Sequence, residues 1–509
     1  MVEKCAGDLT WTDERLWPQF ARQAEWDPLS LAVVDCTGRH WTRAELRELA
    51  VRYTADLAAH GVSKADRVLV RATKTVPTLA VALAVSALEA AICPYSPKIG
   101  SAELEALEQK LGHSAKVEAG ADGSIAIAPT DPAGRSRDPR NQNLALIGFT
   151  SGSTGVPKAV LHGPEALNYA TRACARIAGL AHGDAILGIV PLESAPGFTF
   201  TSHFALSLDH PLVWHDPWDP VEALSLAERY GCAWAIMVPT HLYTMVEAAR
   251  LGRWQGRNAL RTAAVGGSAM TAELIAEAES LLGLRALRMF GMSECMGHCS
   301  TRTTDTLERR QNFDGLPFPG THEEAFGPDQ KPLPRGSRGQ AGVRGPSLFI
   351  GYAEGLGQGQ EQMTPCGHYL TGDEIVRDAQ GYVKVVGRIK DQIIRGGFNL
   401  DPAEIEAAIL RNSAIAEVAV VPVPHPKLGE QACAMCRLLP NTERIDLASL
   451  VQHLENEGLS RKKWPEHLVV VDRMPVTETG KLDKKALTAM AVETIGSAAA
   501  LPCPERLQS

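Results

Sequence analysis

Apolar residues recur along the first 300 positions in two alternating rhythms, and the alternation predicts the fold. Leu46, Leu49, Ala50, Tyr53 and Leu57 fall at helical spacing behind Thr42 and Glu45, which are spaced as a capping box, and Gly61 closes the segment. Arg67 to Val70 reads as a short strand, with a helix from Pro77. The beat then continues: strand Ala185 to Val190, helix Pro220 to Tyr230, strand Ala233 to Val238, helix His241 to Arg250, strand Thr262 to Val265, helix Thr271 to Leu282. Such alternation predicts an α/β fold with largely parallel sheets.

The rhythm changes after about residue 315. Short strands and Gly/Pro turns replace it, as at Val343-Arg344-Gly345, Gly381 to Val386 and a turn at Gly387-Arg388. A second α/β unit begins near Lys390. There Asp401 is placed to cap a helix, Pro402 to open it and Glu404 to complete a capping box, with Ile405, Ala408 and Ile409 on its buried face. Glu417 to Val423 is the next strand, and the tail from Glu493 to Ser509 is expected to be loosely ordered.

A chain of 509 residues exceeds one ordinary core, so two or more domains are expected. The 45% hydrophobic and 22% charged residues are those of a globular protein. The net charge of -8 gives no basic surface for nucleic acid, so an anionic ligand depends on local Lys, Arg or metal. The 11 cysteines form no CxxC pair, and Cys295 and Cys299 have no second ligand pair to make a zinc site. The scatter suits a reducing compartment. Met1 to Trp11 lacks the apolar core of a secretory signal. The apolar run Pro77 to Cys93 is short for a membrane span and reads as a buried helix. A cytoplasmic protein is expected.

Between predicted strands at Leu144 to Phe149 and Ala159 to His162 lies Thr150-Ser151-Gly152-Ser153-Thr154-Gly155-Val156-Pro157-Lys158. Two glycines let the backbone turn and present N–H groups, the hydroxyls add donors and Lys158 adds a cation, which together suit a polyphosphate. It is not a Walker loop: two residues separate Gly152 from Gly155, and Ala159 follows the lysine. This loop resembles the phosphate loop of the adenylate-forming superfamily, which includes acyl-CoA synthetases, stand-alone adenylation domains and beetle luciferases. The resemblance covers about residues 10 to 490 and rests on further segments. Phe290-Gly291-Met292-Ser293-Glu294 is similar to the family's aromatic-Gly-x-Ser/Thr-Glu motif. An aromatic ring can stack on adenine and a carboxylate can share Mg²⁺ with phosphate oxygens. Tyr369-Leu370-Thr371-Gly372-Asp373 resembles the ribose-binding motif, and Gly387-Arg388-Ile389-Lys390-Asp391 the segment before the second domain. Pro475 to Lys484 resembles the terminal P-x-T-x-x-G-K-x-x-K motif.

The resemblance implies a large N-terminal domain (1–389) of α/β subdomains plus a β-rich subdomain, and a small mobile C-terminal α+β domain (390–509) hinged at Lys390. It implies an AMP-forming acid–thiol ligase using ATP, Mg²⁺ and coenzyme A. Glu294 is then the metal ligand, Ser293 a phosphate or carboxylate contact, Asp373 and Arg388 the ribose and phosphate contacts, and Lys158 a β,γ-phosphate contact. Lys481 bridges the attacking carboxylate and the α-phosphate, and Gly396 and Gly397 line the tunnel for the thiol. Gly197, Phe198, Ala264, Gly266, Gly267, Met296 and His298 line the acyl pocket, mainly small and apolar with no evident cation.

Two positions depart from the family. Glu193-Ser194 follows Pro191-Leu192 where many members carry an aromatic-His pair, and Gln340 follows Gly339 where Glu is usual. His203 is either a substitute for the missing His or a packed histidine. Ser194-Ala195 replaces the His-Asn of salicylate and dihydroxybenzoate relatives, so a 2-hydroxybenzoate is disfavoured. A free amino acid is disfavoured too, since no Asp stands at 193 to 200. An aromatic, alicyclic or medium-chain acid is expected. Coenzyme A is the expected acceptor, with a carrier-protein phosphopantetheine as its rival. Oxidative use of the adenylate and a non-catalytic binding protein on this fold are the other classes.

Overall fold

The computed structural model describes residues 12–150, 158–268, 270–354, 362–395, 398–439, 442–477 and 482–499, with residues 390, 398, 399 and 497–499 described by their backbone alone. The chain packs as two compact units. The first comprises residues 1–324, 342–370 and 378–383; the second comprises 325–341, 371–377 and 384–509.

Two sheets build the first unit. The nine-stranded one runs, in order, Leu316–Pro317, Cys295–Ser300, Arg285–Met292, Thr262–Gly266, Cys232–Met237, Ala185–Gly188, Leu212–Trp214, Leu31–Val34 and His40–Thr42. Its neighbours from Arg285–Met292 to Leu31–Val34 are all parallel, and the flanking strands are antiparallel. The seven-stranded sheet runs Gly351–Tyr352, Lys158–His162, Leu146–Thr150, Ala91–Tyr95, Arg67–Arg71, Ala115–Ala119 and Ile125–Pro129. It too is parallel in the middle and antiparallel at its edges. Parallel strands need crossovers, and the helices foreseen from the apolar rhythm supply them: Pro220–Tyr230, Pro239–Arg250 and Ala272–Leu282 lie within one or two residues of the expected bounds. The α/β architecture matches the expectation.

Local signals explain several elements. Thr42 and Glu45 form the reciprocal capping box and open helix Arg43–Ala59. Thr75 caps Val76–Ala87, whose residues from Val76 to Val85 are all buried. The apolar run is therefore this helix plus the buried strand Ala91–Tyr95. Among the described residues no helix is long and apolar enough to cross a membrane.

Residues of the second unit make up most of a four-stranded sheet ordered His322–Phe326, Arg338–Arg344, Tyr369–Arg377, Val383–Arg388. Beyond it lies a five-stranded sheet in which Gly429–Leu438 pairs with Ile415–His425, Ile393–Arg395 and His467–Val470. Side chains along Ile415–His425 alternate between two cores. Val418 and Val420 meet Ile405, Ile409, Leu450 and Leu454, whereas Ala419 and Val421 meet Leu487 and Ala491. The strand thus has helices on both faces, the period-2 consequence of a buried strand.

Two local expectations fail here. Asp401 caps helix Pro402–Ile409 by accepting from the Ala403 N–H at 3.0 Å, but Glu404 does not complete a box. Lys463 Nζ holds its carboxylate at 2.7 Å, and this ion pair draws it from the backbone. Gly387-Arg388 does not turn; it ends the strand Val383–Arg388.

Gly148, in the middle of Leu146–Thr150, lies against Ala195. A Cβ added to it would stand 2.4 Å from the Ala195 Cβ. Gly148→Ala is expected to lower the thermal midpoint, at an overpacking cost of about 1–3 kcal/mol, and Ala195→Gly in the same chain to restore most of the loss. Calorimetry on the two single variants and the double variant checks this; an additive double variant would contradict the contact.

Candidate active site

The first unit gathers a cation, a carboxylate and two tyrosines around one strand pairing. Thr150 and Lys158 stand opposite each other at the ends of the antiparallel pair Leu146–Thr150 and Lys158–His162. Residues Ser151, Gly152, Ser153, Thr154 and Gly155 lie outside the described residues, but the pairing fixes where their loop leaves and re-enters. On the far side of Lys158–His162, Tyr352 pairs with Val160. This places the Lys158 ammonium 5.3 Å from the centroid of the Tyr352 ring, within cation–π reach.

The Tyr352 hydroxyl donates to Glu294 Oε1 and lies 3.1 Å from the Tyr369 hydroxyl. Phe349 sets the two rings by edge-to-face contacts at 5.0 and 5.1 Å. Burial, and after it the Glu294 carboxylate, pushes the Tyr352 hydroxyl far up, so it stays a donor. Burial pushes Tyr369 up to about 12.

Glu294 sits in the connection between Arg285–Met292 and Cys295–Ser300, and two bonds hold that connection. The Phe349 N–H donates to the Glu294 carbonyl at 2.7 Å. His162 Nε2 lies 2.7 Å from the Ser293 carbonyl and donates to it. Burial pushes the His162 imidazole down to about 4, so the ring is neutral and Nε2 carries the proton. Ser293 and Glu294 are thereby tied to the strand that begins at Lys158.

The donor set at Glu294 suits a hard divalent cation shared with a ligand. Among the described residues no group of three or more His, Cys, Asp and Glu could form a protein cage for a metal ion. A magnesium ion held by one carboxylate and phosphate oxygens needs no such cage. Glu294 is buried at 7% exposure, and the hydrogen bond to Tyr352 orients it.

Phe290 is half-buried, and its ring meets the edge of His298 at 4.7 Å. His298 has no exposed surface and faces the equally enclosed Glu323 at 3.5 Å. Burial disfavours its charge, but Cys295 and the Glu323 carboxylate outweigh that and raise the imidazole to about 10. Of the expected acyl-pocket residues, Met296 is enclosed as well, its sulfur 3.0 Å from Thr199 Oγ1. Gly197, Phe198 and Ala264 are also buried, while Gly266 and Gly267 open to solvent. Three glycines at this edge are closed to side chains. A Cβ would lie 2.0 Å from the Pro191 carbonyl oxygen at Gly197, 2.3 Å from that of Met289 at Gly266, and 2.8 Å from the Gly297 nitrogen at Gly291.

The departure at Glu193-Ser194 has a structural account. Ser194 Oγ accepts from the Gly197 N–H at 2.9 Å and so caps the helical run that continues to Leu208. Its middle, Phe198–His203, has π-type hydrogen bonding, a local form frequent at functional sites. His203 is a packed histidine: it is buried, its Nε2 lies 3.0 Å from Asn168 Oδ1, and burial pushes it down to about 3. A cation that the sequence reading overlooked stands nearby. Lys74 Nζ donates to the Ile189 and His215 carbonyls at 2.8 and 3.2 Å, tying the C-terminal ends of two neighbouring strands.

In the second unit the Arg388 guanidinium meets Asp373 at 3.0 Å, bringing together the two residues assigned to ribose and phosphate. Lys390 lies in the short turn Ile389–Asp391, with only its backbone described. Gly396, Gly397 and Lys481 lie outside the described residues. The residues absent from the sequence reading of the site are His162, Tyr352 and Lys74, with Tyr369 quoted only as the start of a motif. Gly351-Tyr352, six residues after Val343-Arg344-Gly345, carries no local signal of a catalytic neighbour.

Comparison with known proteins identifies the family. Residues 20–353 match the AMP-binding enzyme family and residues 404–481 the AMP-binding enzyme C-terminal domain. The chain belongs to the AMP-binding family of the adenylate-forming superfamily. It is 30% identical over 344 residues to the medium-chain fatty-acid–CoA ligase of Escherichia coli K12, a match covering 67% of this chain and 60% of that one. It is 31% identical over 355 residues to a salicylyl-CoA synthase / salicylate adenylyltransferase of a Streptomyces species, covering 69% and 63%. These matches span less than two thirds of either relative's length. The ATP-bound crystal structure of MatB from Rhodopseudomonas palustris superposes with a TM-score of 0.82 at 25% identity, over 94% of this chain and 99% of that one.

His162 and His203, unlike His298, carry folded pKa values below the ordinary value of about 6.5. Such a group stabilises the fold above its unfolded pKa, and the contribution is lost as pH falls toward the folded value. The gap in thermal midpoint between wild type and His162→Gln is therefore expected to narrow from pH 7 to about pH 4.5. A gap that stays constant would exclude His162 as a source of acid lability.

Proposed function

We propose that the chain activates a carboxylic acid with ATP to an acyl-adenylate and passes the acyl group to the thiol of coenzyme A. The observation that carries the reading is the Lys158–Tyr352–Glu294 arrangement, a cation and an oriented carboxylate held about one ring. Lys158 neutralises β- and γ-phosphate oxygens. Glu294 would hold Mg²⁺ together with the polyphosphate, and the ion would supply charge neutralisation there. The acid's carboxylate oxygen attacks the α-phosphorus, the bond to the bridging oxygen breaks and pyrophosphate leaves. Lys481 lowers the repulsion between the two anions as they approach. After rotation about Lys390, the thiol sulfur attacks the acyl carbonyl, its proton passes to solvent and AMP leaves. Gly396 and Gly397 give the pantetheine close backbone approach.

The acid is aromatic, alicyclic or medium-chain. The pocket candidates are mainly small or apolar, with the buried His298, raised by Glu323 and Cys295, as the cation that the sequence did not lead one to expect, and the relatives named above act on a medium-chain fatty acid and on salicylate. Ala195 stands in the place of the Asn that salicylate relatives carry after their His, and it has no group to read an ortho hydroxyl, which argues against a 2-hydroxybenzoate. A carrier-protein phosphopantetheine is the alternative acceptor.

Three measurements test the reading. Acid-dependent pyrophosphate release across a panel of benzoates, cinnamates, alicyclic acids, C6–C12 fatty acids and salicylate should single out one class. No release with any acid would favour a binding protein. Lys481→Ala should lose adenylate formation yet still form thioester from supplied acyl-adenylate. Equal loss of both would sink the two-step scheme. Tyr352→Phe leaves Glu294 short of its donor and is expected to raise the Mg²⁺ concentration for half-maximal pyrophosphate release about tenfold or more, as loss of an orienting partner does at metal sites. An unchanged Mg²⁺ dependence would remove Glu294 from the metal's coordination.

A further inference from the structure

Asp373 and Glu374 are neighbours on one strand, so their side chains leave opposite faces of the sheet. Asp373 meets Arg388 on one face. On the other, Arg338 Nη2 donates to Glu374 Oε2 at 2.6 Å and to Asp401 Oδ2 at 2.8 Å. One guanidinium nitrogen thus joins three elements: its own strand Arg338–Arg344, the strand Tyr369–Arg377, and the N-cap of helix Pro402–Ile409. Gln392 Nε2 adds a bond to Glu374 at 3.1 Å. Asp401 is 7% exposed and, with Oδ1 committed to the Ala403 N–H, has Oδ2 free for Arg338. Glycine at 387 makes the contact possible, since a Cβ there would lie 2.5 Å from Asp401 Oδ2.

This cluster straddles Lys390. Arg338, Glu374 and Gly387 precede it, while Gln392 and Asp401 follow it. A rotation of the chain beyond Lys390 relative to the strands before it carries Asp401 away from both Gly387 and Arg338. Asp401 is buried while Arg338 is exposed, so the pair keeps part of a surface bridge's screening, but breaking it leaves the buried Asp401 carboxylate without its cation. We propose that Arg338 is a positioning residue: it latches the helix after Lys390 to the nucleotide-binding strands in one of the two working arrangements, and its release sets the balance between the half-reactions. The latch works through the strand that carries Asp373 and touches no substrate itself.

The inference rests on the two-step reading, so its test has an arm that needs no activity. Hydrogen exchange in full-length Arg338→Gln should quicken several-fold at the amides of Ile393–Arg395 and of the helix from Ala403 to Ile409, with the core strand Ile415–His425 unchanged. Gly387→Ala should do the same by displacing the Asp401 carboxylate, and Arg338→Lys should fall between wild type and Arg338→Gln. In the kinetic arm, pyrophosphate release and thioester formation from supplied acyl-adenylate should move in opposite directions in Arg338→Gln, changing their ratio by about fivefold or more. Unchanged exchange at those amides overturns the latch. Half-reactions that fall by one common factor reduce Arg338 to a structural role. If wild type activates no acid at all, the two-step reading fails while the exchange arm still decides the latch.

Discussion

Everything assigned to the first unit's site hangs on one edge pairing, the short strand Gly351–Tyr352 laid antiparallel on Lys158–His162. The strand beginning at Lys158 carries the cation at one end and His162 at the other. The edge strand adds the tyrosine that binds Glu294. A single ladder thus sets the tyrosine that stands between a positive and a negative group, the two groups proposed to meet one polyphosphate. His162 closes the arrangement from behind by fixing the Ser293 carbonyl, and a neutral, fully buried imidazole does so without adding a second charge near Lys158. Preorganisation of this kind lets electrostatic groups act with little rearrangement when the ligand arrives.

The sequence made the large architecture legible because parallel sheets enforce long crossovers, and amphipathic crossovers leave a strong periodic trace. Helix Pro220–Tyr230 and the Thr42–Glu45 box are read directly from spacing. What stayed hidden depends on partners far along the chain. Glu404 has the spacing of a capping box, yet Lys463, 59 residues away, takes its carboxylate. Gly387 looks like a turn residue, yet it is a glycine because the Asp401 carboxylate rests on it. Tyr352 reaches Glu294 across 58 residues of sequence, a separation no local pattern reports.

The candidate site was legible in proportion to how contiguous its pieces are. The run from 150 to 158 is contiguous in sequence, and the Phe290–Glu294 and Tyr369–Asp373 segments are so because each shapes backbone as well as presenting side chains. Tyr352, His162 and Lys74 act through single side chains on otherwise ordinary strands and turns. Ser194 shows a third situation: it reads as a loss when set against a family pattern, and the structure gives it the role of a helix cap.

The three close-packed glycines at 197, 266 and 291 bear on how this enzyme family diversifies. Where each presses against a carbonyl oxygen or a backbone nitrogen, the wall is main chain, and no single substitution can place a new functional group on it without moving a neighbouring segment. Under the proposal that Gly197 and Gly266 line the acid pocket, selectivity for one acid over another would fall to side chains at other positions of that pocket. A lineage adapting to a new acid would keep the bare backbone surface as a fixed ruler and alter only what stands opposite it.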